Sequence, residues 1–389
     1  MKSTFNYIQN ICDIWFKELR YILTDEGMLL FLSVLPLVYP LLYSWIYNNE
    51  VAREVPVVVV DQSHSSLSRE YTRLYNASPN VNVAFYANNL EEAKEIIGHQ
   101  KAYGVLYFPS DFATKVYRME QATVSLYCDM SLMLAYKNIF QTATAVNFEM
   151  GDKIKVQVLG NKTDREDEVA LKPLDYEEVP IFNTTGGYGN FILPAVLILI
   201  LQQTMLLGIG MTSGTLREKT GCIILKHPHY TRIGPIVFGR YLAYMFQYIF
   251  LAAYVLLLVP KIFGFVSIIY WKDFILFVLP YLSACFFFSM TTMSVIRQRE
   301  DVLLVVVFTS VLFLFLSGLS WPASSIPDIW KYVGYLIPGV AGIKGFVAMN
   351  SMGARIQDIK PELFVLMAQC LFYAITTAII YHYQLHKKK

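Results

Sequence analysis

Apolar runs long enough to cross a bilayer set what this 389-residue chain can become. A hydrocarbon layer of about 30 Å takes roughly 20 apolar residues of helix to cross. Six segments meet or approach that length: 28–47, 189–212, 234–259, 273–296, 302–320 and 361–383. Inside lipid the backbone must satisfy its own polar groups, so each run is expected as a helix, with Pro194, Pro280 and Pro338 as tolerated or boundary breakers. Only 16% of the residues are charged, against about 25% in soluble domains, which excludes an ordinary soluble enzyme. The 28–47 run is too extended for a signal sequence and no small-x-small cleavage site follows it, so it is expected to stay as an anchor.

Between the first and second runs the character changes. VPVVVVD at 55–61, VNVAFY at 81–86, AYGVLYF at 102–108 and ATVSLYC at 122–128 read as strands. Ser65–Tyr75, Leu90–His99, the stretch after Pro109-Ser110-Asp111 and Leu132–Val158 read as helices between and after them. Strands alternating with helices imply a mixed or parallel sheet covered by helices. The tract NKTDREDEVALKPLDYEE at 161–178 reads as an exposed tether. Splitting the chain at Asn48 and Tyr188 gives 19 acidic against 13 basic residues in the insert, net −6, and 11 against 19 in the remainder, net +8. The formal total of +2 is therefore a cancellation, and no basic tract suggests nucleic acid. Of Cys12, Cys128, Cys222, Cys285 and Cys370 only Cys128 lies in the insert, so that region has no internal disulfide.

The expected fold is an α-helical polytopic membrane protein of six spans with an inserted extracytoplasmic α/β domain. Its parts are an amphipathic interfacial helix over 1–26, a first span over 27–47, the α/β domain with tether over 48–187, and a five-span membrane domain over 188–389. In the first part Ile8, Ile11, Trp15, Leu19 and Ile22 recur at helical spacing. Placing both termini in the cytoplasm puts Lys2, Lys17, Arg20, the cations of the 213–233 loop, Arg297, Arg299 and Lys387–Lys389 inside. The short outer loops then hold Lys261, Lys272, Lys331, Lys344, Arg355 and Lys360, half as many, as the positive-inside bias asks.

No GxxxxGK[ST] loop is present, so ATP-driven transport needs a second chain to hydrolyse ATP. No nucleophile and base are paired in a motif, and His227-Pro228-His229 without a third ligand reads as a turn. Asp61 and Ser63, with His64 and Ser65, end the first strand where open sheets bind ligands, but capping of the next helix accounts for them. The loop LREKTGCIILKHPHYTRIGPIVFGR at 216–240 carries an amphipathic piece suited either to passing force from a soluble partner or to connecting spans along the surface. The segment 317–356, with prolines, glycines and half-length apolar pieces, reads as re-entrant helices covering the outer side, with a plain amphipathic loop as the alternative. Gln202, Gln203 and Thr204 in the second span and Gln247 in the third are amides and a hydroxyl in hydrocarbon, suited to helix contacts or to lining a path. No acidic or basic residue is expected at mid-membrane, so a proton- or sodium-coupled carrier has no relay.

The pattern resembles the permease subunit of type-2 ABC exporters, in the branch with a large outer domain between spans one and two. FKELRYILTD at 16–25, FNTTGGYGNFILPAVLILILQQ at 182–203, LREKTGC at 216–222 and GLSWPASSIPDIWKYVGYLIP at 318–338 carry the resemblance. The family commonly has an acidic pair followed by Gly-Thr where this chain has Glu218-Lys219-Thr220-Gly221. The resemblance implies an exporter of a drug, lipid or polymer in a bacterial inner membrane, a homodimer or a pair with a sister permease, and a cytoplasmic ATPase subunit. ATP and magnesium would bind that ATPase and no cofactor this chain, and a membrane-fusion adaptor is a further implied partner. It also implies ATPase coupling through Lys17, Glu18, Arg217, Glu218, Lys219, Thr220 and Gly221. The second and fifth spans would line the path, with Gln202, Gln203, Thr204 and Gln247 along it, and the segment 321–350, with Trp321, Pro322, Pro327, Trp330 and Pro338, would gate it. A membrane-anchored receptor or scaffold binding a ligand through the outer domain is the alternative. Six spans and a re-entrant segment are more than an anchor requires.

Overall fold

The structure, a computed structural model, describes residues 2–49, 51–159, 179, 181–184, 186–224 and 232–387. The tether at 161–178 and the His227-Pro228-His229 turn lie outside the described residues. Two compact units form, one of Val51–Val179 and one of Met1–Glu50 with Pro180–Lys389. The chain starts with α1 (Lys2–Thr24) and α2 (Glu26–Ile46), the latter with a π-helical turn at Leu30–Val34. Next come β1 (Val55–Asp61), α3 (Ser66–Asn76), β2 (Val81–Ala87), α4 (Leu90–Gly98), β3 (Gly104–Phe108), α5 (Phe112–Tyr117), β4 (Ser125–Cys128) and α6 (Met133–Leu159). The rest is helical: α7 (Tyr188–Thr220), α8 (Ile233–Ile262), α9 (Trp271–Val295), α10 (Asp301–Leu316), α11 (Asp328–Gly334), α12 (Pro338–Met352) and α13 (Lys360–Lys387).

In the α/β unit the strand order is β2-β1-β3-β4, with β1 parallel to β2 and β3 and with β4 antiparallel to β3. A central parallel strand must be covered on both faces. The run of valines in β1 meets this demand: Val57 and Val59 cluster with Tyr71, Tyr75 and Ile139, and Val58 and Val60 with Ala93 and Ala102 on the other face. The fourth strand is shorter than the sequence suggests, forming only over Ser125–Cys128. After β1 the Asp61 carboxylate accepts the Ser63 and His64 N–H groups at 3.0 Å each and the Ser68 hydroxyl at 2.7 Å. Ser65 caps α3 by accepting the Ser68 N–H at 3.0 Å, so the capping hydroxyl is that of Ser65 and not of Ser63.

In the helical unit α2, α7, α8, α9 and α13 are long and apolar enough to cross a membrane. The run expected as a fifth span to residue 320 is helical only as α10, 16 residues or about 24 Å, because Ser317 and Gly318, the latter at φ +82°, turn the chain. The buried stripe of α1 overlaps the one its periodicity suggests: Ile22 is buried, Ile11, Trp15 and Leu19 are half-buried, and of that stripe Ile8 alone is exposed. Ile14, Glu18 and Ile22 face the bundle, whereas Ile8, Phe16 and Leu23 are exposed. This face packs on α8, where Gly239 lets Ile14 approach and Phe246 receives Trp15 edge-on at 5.9 Å.

Candidate functional site

The last turn of α7 is the hub of a polar junction. This helix runs for 33 residues, about 50 Å, through Pro194 near its start, until Gly221 at φ +71° ends it with its N–H on the Arg217 carbonyl at 2.8 Å. Arg217, Glu218, Lys219 and Thr220 therefore belong to a span helix and not to a separate surface helix, which corrects the expectation for the 213–233 loop. Sequence hydropathy marks where lipid ends, not where the helix ends. Ile223 and Ile224 pack into the core, and 225–231 lie outside the described residues.

Arg217 faces inward. Its guanidinium donates to the carbonyls of Ser294, Val295 and Ile296 at 2.8, 3.2 and 2.6 Å. Those carbonyls close α9, where a helix end lacks partners and favours positive charge. Glu218 Oε1 accepts the Arg299 N–H at 2.7 Å, and the Arg299 guanidinium donates to Asp25 at 2.8 Å. Gly214 makes the approach possible, since a Cβ there would lie 2.8 Å from the Arg299 Cα. Asp25 in turn accepts the Met28 N–H at 3.1 Å at the head of α2. Burial opposes its ionisation, but the Met28 N–H and the Arg299 guanidinium outweigh it and hold the carboxyl below its ordinary range. A folded value below the unfolded one means the pair contributes above about pH 4 and is lost as pH falls through the lowered value. The start of α2, the end of α7 and the α9–α10 loop are thus one connected piece. Lys219 and Gly221 are exposed, and the Thr220 hydroxyl donates to the Leu216 carbonyl at 2.7 Å.

Glu18 is corrected more sharply. It is 3% exposed, with its carboxylate 3.0 Å from Arg240 Nε, and Arg240 donates to the Tyr381 hydroxyl at 2.6 Å. The pair ties α1 to α8 and α13 and leaves Glu18 no face for a soluble partner, while its neighbour Lys17 is half-buried. Arg240 was missed because it sits in an apolar run, although a lone cation there asks for an acidic partner.

The polar residues of the spans are not gathered in one place. Gln247 donates to the Leu32 carbonyl and the Ser33 hydroxyl at 2.7 and 2.9 Å, filling the π-helical turn of α2. Thr204 donates to the Ile200 carbonyl and accepts from Tyr248 at 3.1 Å. Gln202 and Gln203 are different. Both lie on α7, whose apolar stretch is 94% buried, and the Gln202 amide nitrogen and both polar atoms of Gln203 are buried without a hydrogen-bond partner among the described residues. Gln202 packs against Gly339 at the start of α12.

α11 and α12 form a helical pair bent by 88°. At the bend the carbonyls of Tyr335 and Leu336 are satisfied from α13, by Gln369 and by the Tyr373 hydroxyl, at 2.7 Å each. Irregular backbone at membrane depth persists only with such partners. Trp321, Pro322, Pro327 and Trp330 are exposed before and on α11, whereas Pro338 is buried at the first turn of α12. From there Gly342 presses against the Tyr281 ring, and the Tyr281 hydroxyl donates to the Ile198 carbonyl on α7 at 2.7 Å.

A family model described as ABC-2 family transporter protein matches residues 27–379. The chain belongs to the ABC-2 transporter family. No curated protein sequence matches it. Family membership makes it a multi-pass membrane permease, a transport component without an ATPase motif of its own that works with an ATP-hydrolysing partner. In this ABC-2 permease most of the residues singled out from the sequence fall at the Arg217–Gly221 turn, in the Gln202–Thr204 layer and at the bent pair, while Lys17 and Glu18 lie on α1 and Gln247 lies against the π-helical turn of α2.

Proposed function

We propose that the chain is the membrane subunit of an ATP-driven exporter for a hydrophobic or amphiphilic substrate, a drug, lipid or polymer, in a bacterial inner membrane. It works as a homodimer or with a sister permease, both termini lie in the cytoplasm, and the α/β unit lies outside, where it meets a membrane-fusion adaptor or the substrate. The ATPase, with ATP and magnesium, docks at the exposed Glu218, Lys219 and Gly221, and the bent pair gates the outer side. The observation that carries this reading is the junction. A push on the last turn of α7 moves Glu218, hence Arg299 and the α9–α10 loop, hence Asp25 and α2. Purifying the tagged chain from its native membrane tests it: a P-loop ATPase is expected to co-purify, and its absence from a stable, monodisperse preparation contradicts the proposal.

The substrate path runs by Gln202 and Gln203. Each buried amide atom without a partner costs about 1–3 kcal/mol, so their presence marks a place that a substrate's polar groups visit. Gln203→Leu separates this from a role in stability. The variant is expected to melt at the wild-type temperature or above it while transport falls severalfold; a lower melting temperature with unchanged transport would assign Gln203 to packing.

A further inference from the structure

The α/β unit holds a groove of about 740 Å³ between α3, α5 and α6, a size typical of small-molecule sites. We infer that it binds a small amphiphile with an apolar chain and an uncharged hydrogen-bonding head. The inference stands apart from the transport reading, since it uses only residues of this unit.

The walls are apolar. Tyr71 presents its ring, its hydroxyl being committed to the Ala143 carbonyl at 3.1 Å. Val116 and Val124 lie on one side, Met150 and Ile154 on the other. Methionine adapts to chains of varied shape. The rim is polar without net charge: Asn147 and Thr123 offer uncharged groups, Glu120 and Lys155 are of opposite sign, and Lys155 already has Asp152 at 3.7 Å. Among the described residues the lining carries one charge of each sign, which favours neither an anionic nor a cationic head, and an alcohol or amide finds partners in Asn147 and Thr123.

Gly151 points the same way independently. It sits inside the 27-residue α6, where glycine is a poor choice. Neither a positive φ nor close packing asks for it, because a Cβ built there meets nothing within 4 Å. It lies in the groove wall, and the missing side chain keeps the groove open. At the rim Met119 is held at φ +59° with its side chain 74% exposed, an unusual backbone conformation for methionine that leaves an apolar group at the mouth.

The test uses the full chain in lipid nanodiscs with a diazirine-bearing analogue of dodecanol, photolysed and mapped by mass spectrometry. Adducts are expected on Val116, Met119, Met150 or Ile154 and are competed by excess dodecanol. Gly151→Trp, which fills the groove, is expected to cut them about tenfold, the equivalent of about 1.4 kcal/mol, with adducts on the membrane helices unchanged. Gly151→Ala leaves them within about twofold. Asn147→Trp, filling from the exposed rim, serves if Gly151→Trp fails to fold. Adducts confined to the membrane helices overturn the inference. So do groove adducts indifferent to dodecanol and to both tryptophans, and groove adducts displaced only by an amphipathic peptide.

Discussion

Arg240→Ala is expected to be the most damaging single substitution in the membrane unit. It strands the Glu18 carboxylate, 3% exposed, beside an apolar helix, and removes the donor to Tyr381. Breaking one half of a buried ion pair typically costs about 3–5 kcal/mol, more than the pair adds, because the remaining charge loses its opposite-charge partner. Against a usual stability of about 5–15 kcal/mol this is a large share. Thermal unfolding of the detergent-solubilised chain should show a lowered midpoint for Arg240→Ala and for Glu18→Ala. The double variant should recover much of the loss, since no lone charge then remains. Additive losses in the double variant would mean that the two residues act separately and that α1 is not held through them.

Gly342→Leu is expected to stop transport through the bent pair. A Cβ at this position already overlaps the Tyr281 ring. The ring cannot retreat cheaply: its hydroxyl is bonded to the Ile198 carbonyl at 2.7 Å, and its face lies parallel to Phe277 with centroids 6.4 Å apart. α12 must therefore shift away from α7 and α9, at an overpacking cost of about 1–3 kcal/mol or more. Transport by the reconstituted complex should fall to background while the complex still assembles. Tyr281→Ala, which opens the space, should restore part of it in the double variant. Normal transport by Gly342→Leu would show that the packing of α12 does not matter to the pathway.

Much of the fold could be read before any coordinate. The valine run of β1 and the long apolar runs each carry a local signal that survives tertiary context. What could not be read depends on partners distant in sequence. Arg217 and Glu218 look like surface groups on a loop, yet their bonds reach Ser294–Ile296 and Arg299. Glu18 looks like the polar face of an interfacial helix until Arg240 is placed beside it. α7 outlasts its hydropathy because helix propensity continues through Arg217–Thr220 and stops only at Gly221. α10 falls short of its apolar run because Gly318 turns the chain before Trp321 and Pro322.

The junction is tested most directly by ATP hydrolysis and transport measured together in proteoliposomes containing the permease and its ATPase. Glu218→Ala removes the acceptor for the Arg299 N–H, and Asp25→Asn removes the charge paired with the Arg299 guanidinium. Both variants are expected to assemble with the ATPase, since Lys219 and Gly221 remain to hold it when Glu218 is lost, and to lose about tenfold in transport per ATP hydrolysed, within the range of coupling energies between linked sites. Because Asp25 titrates below its ordinary range, wild-type coupling should not change through this group between about pH 5 and 8. Wild-type transport per ATP in both variants, with assembly intact, would contradict the role given to the end of α7.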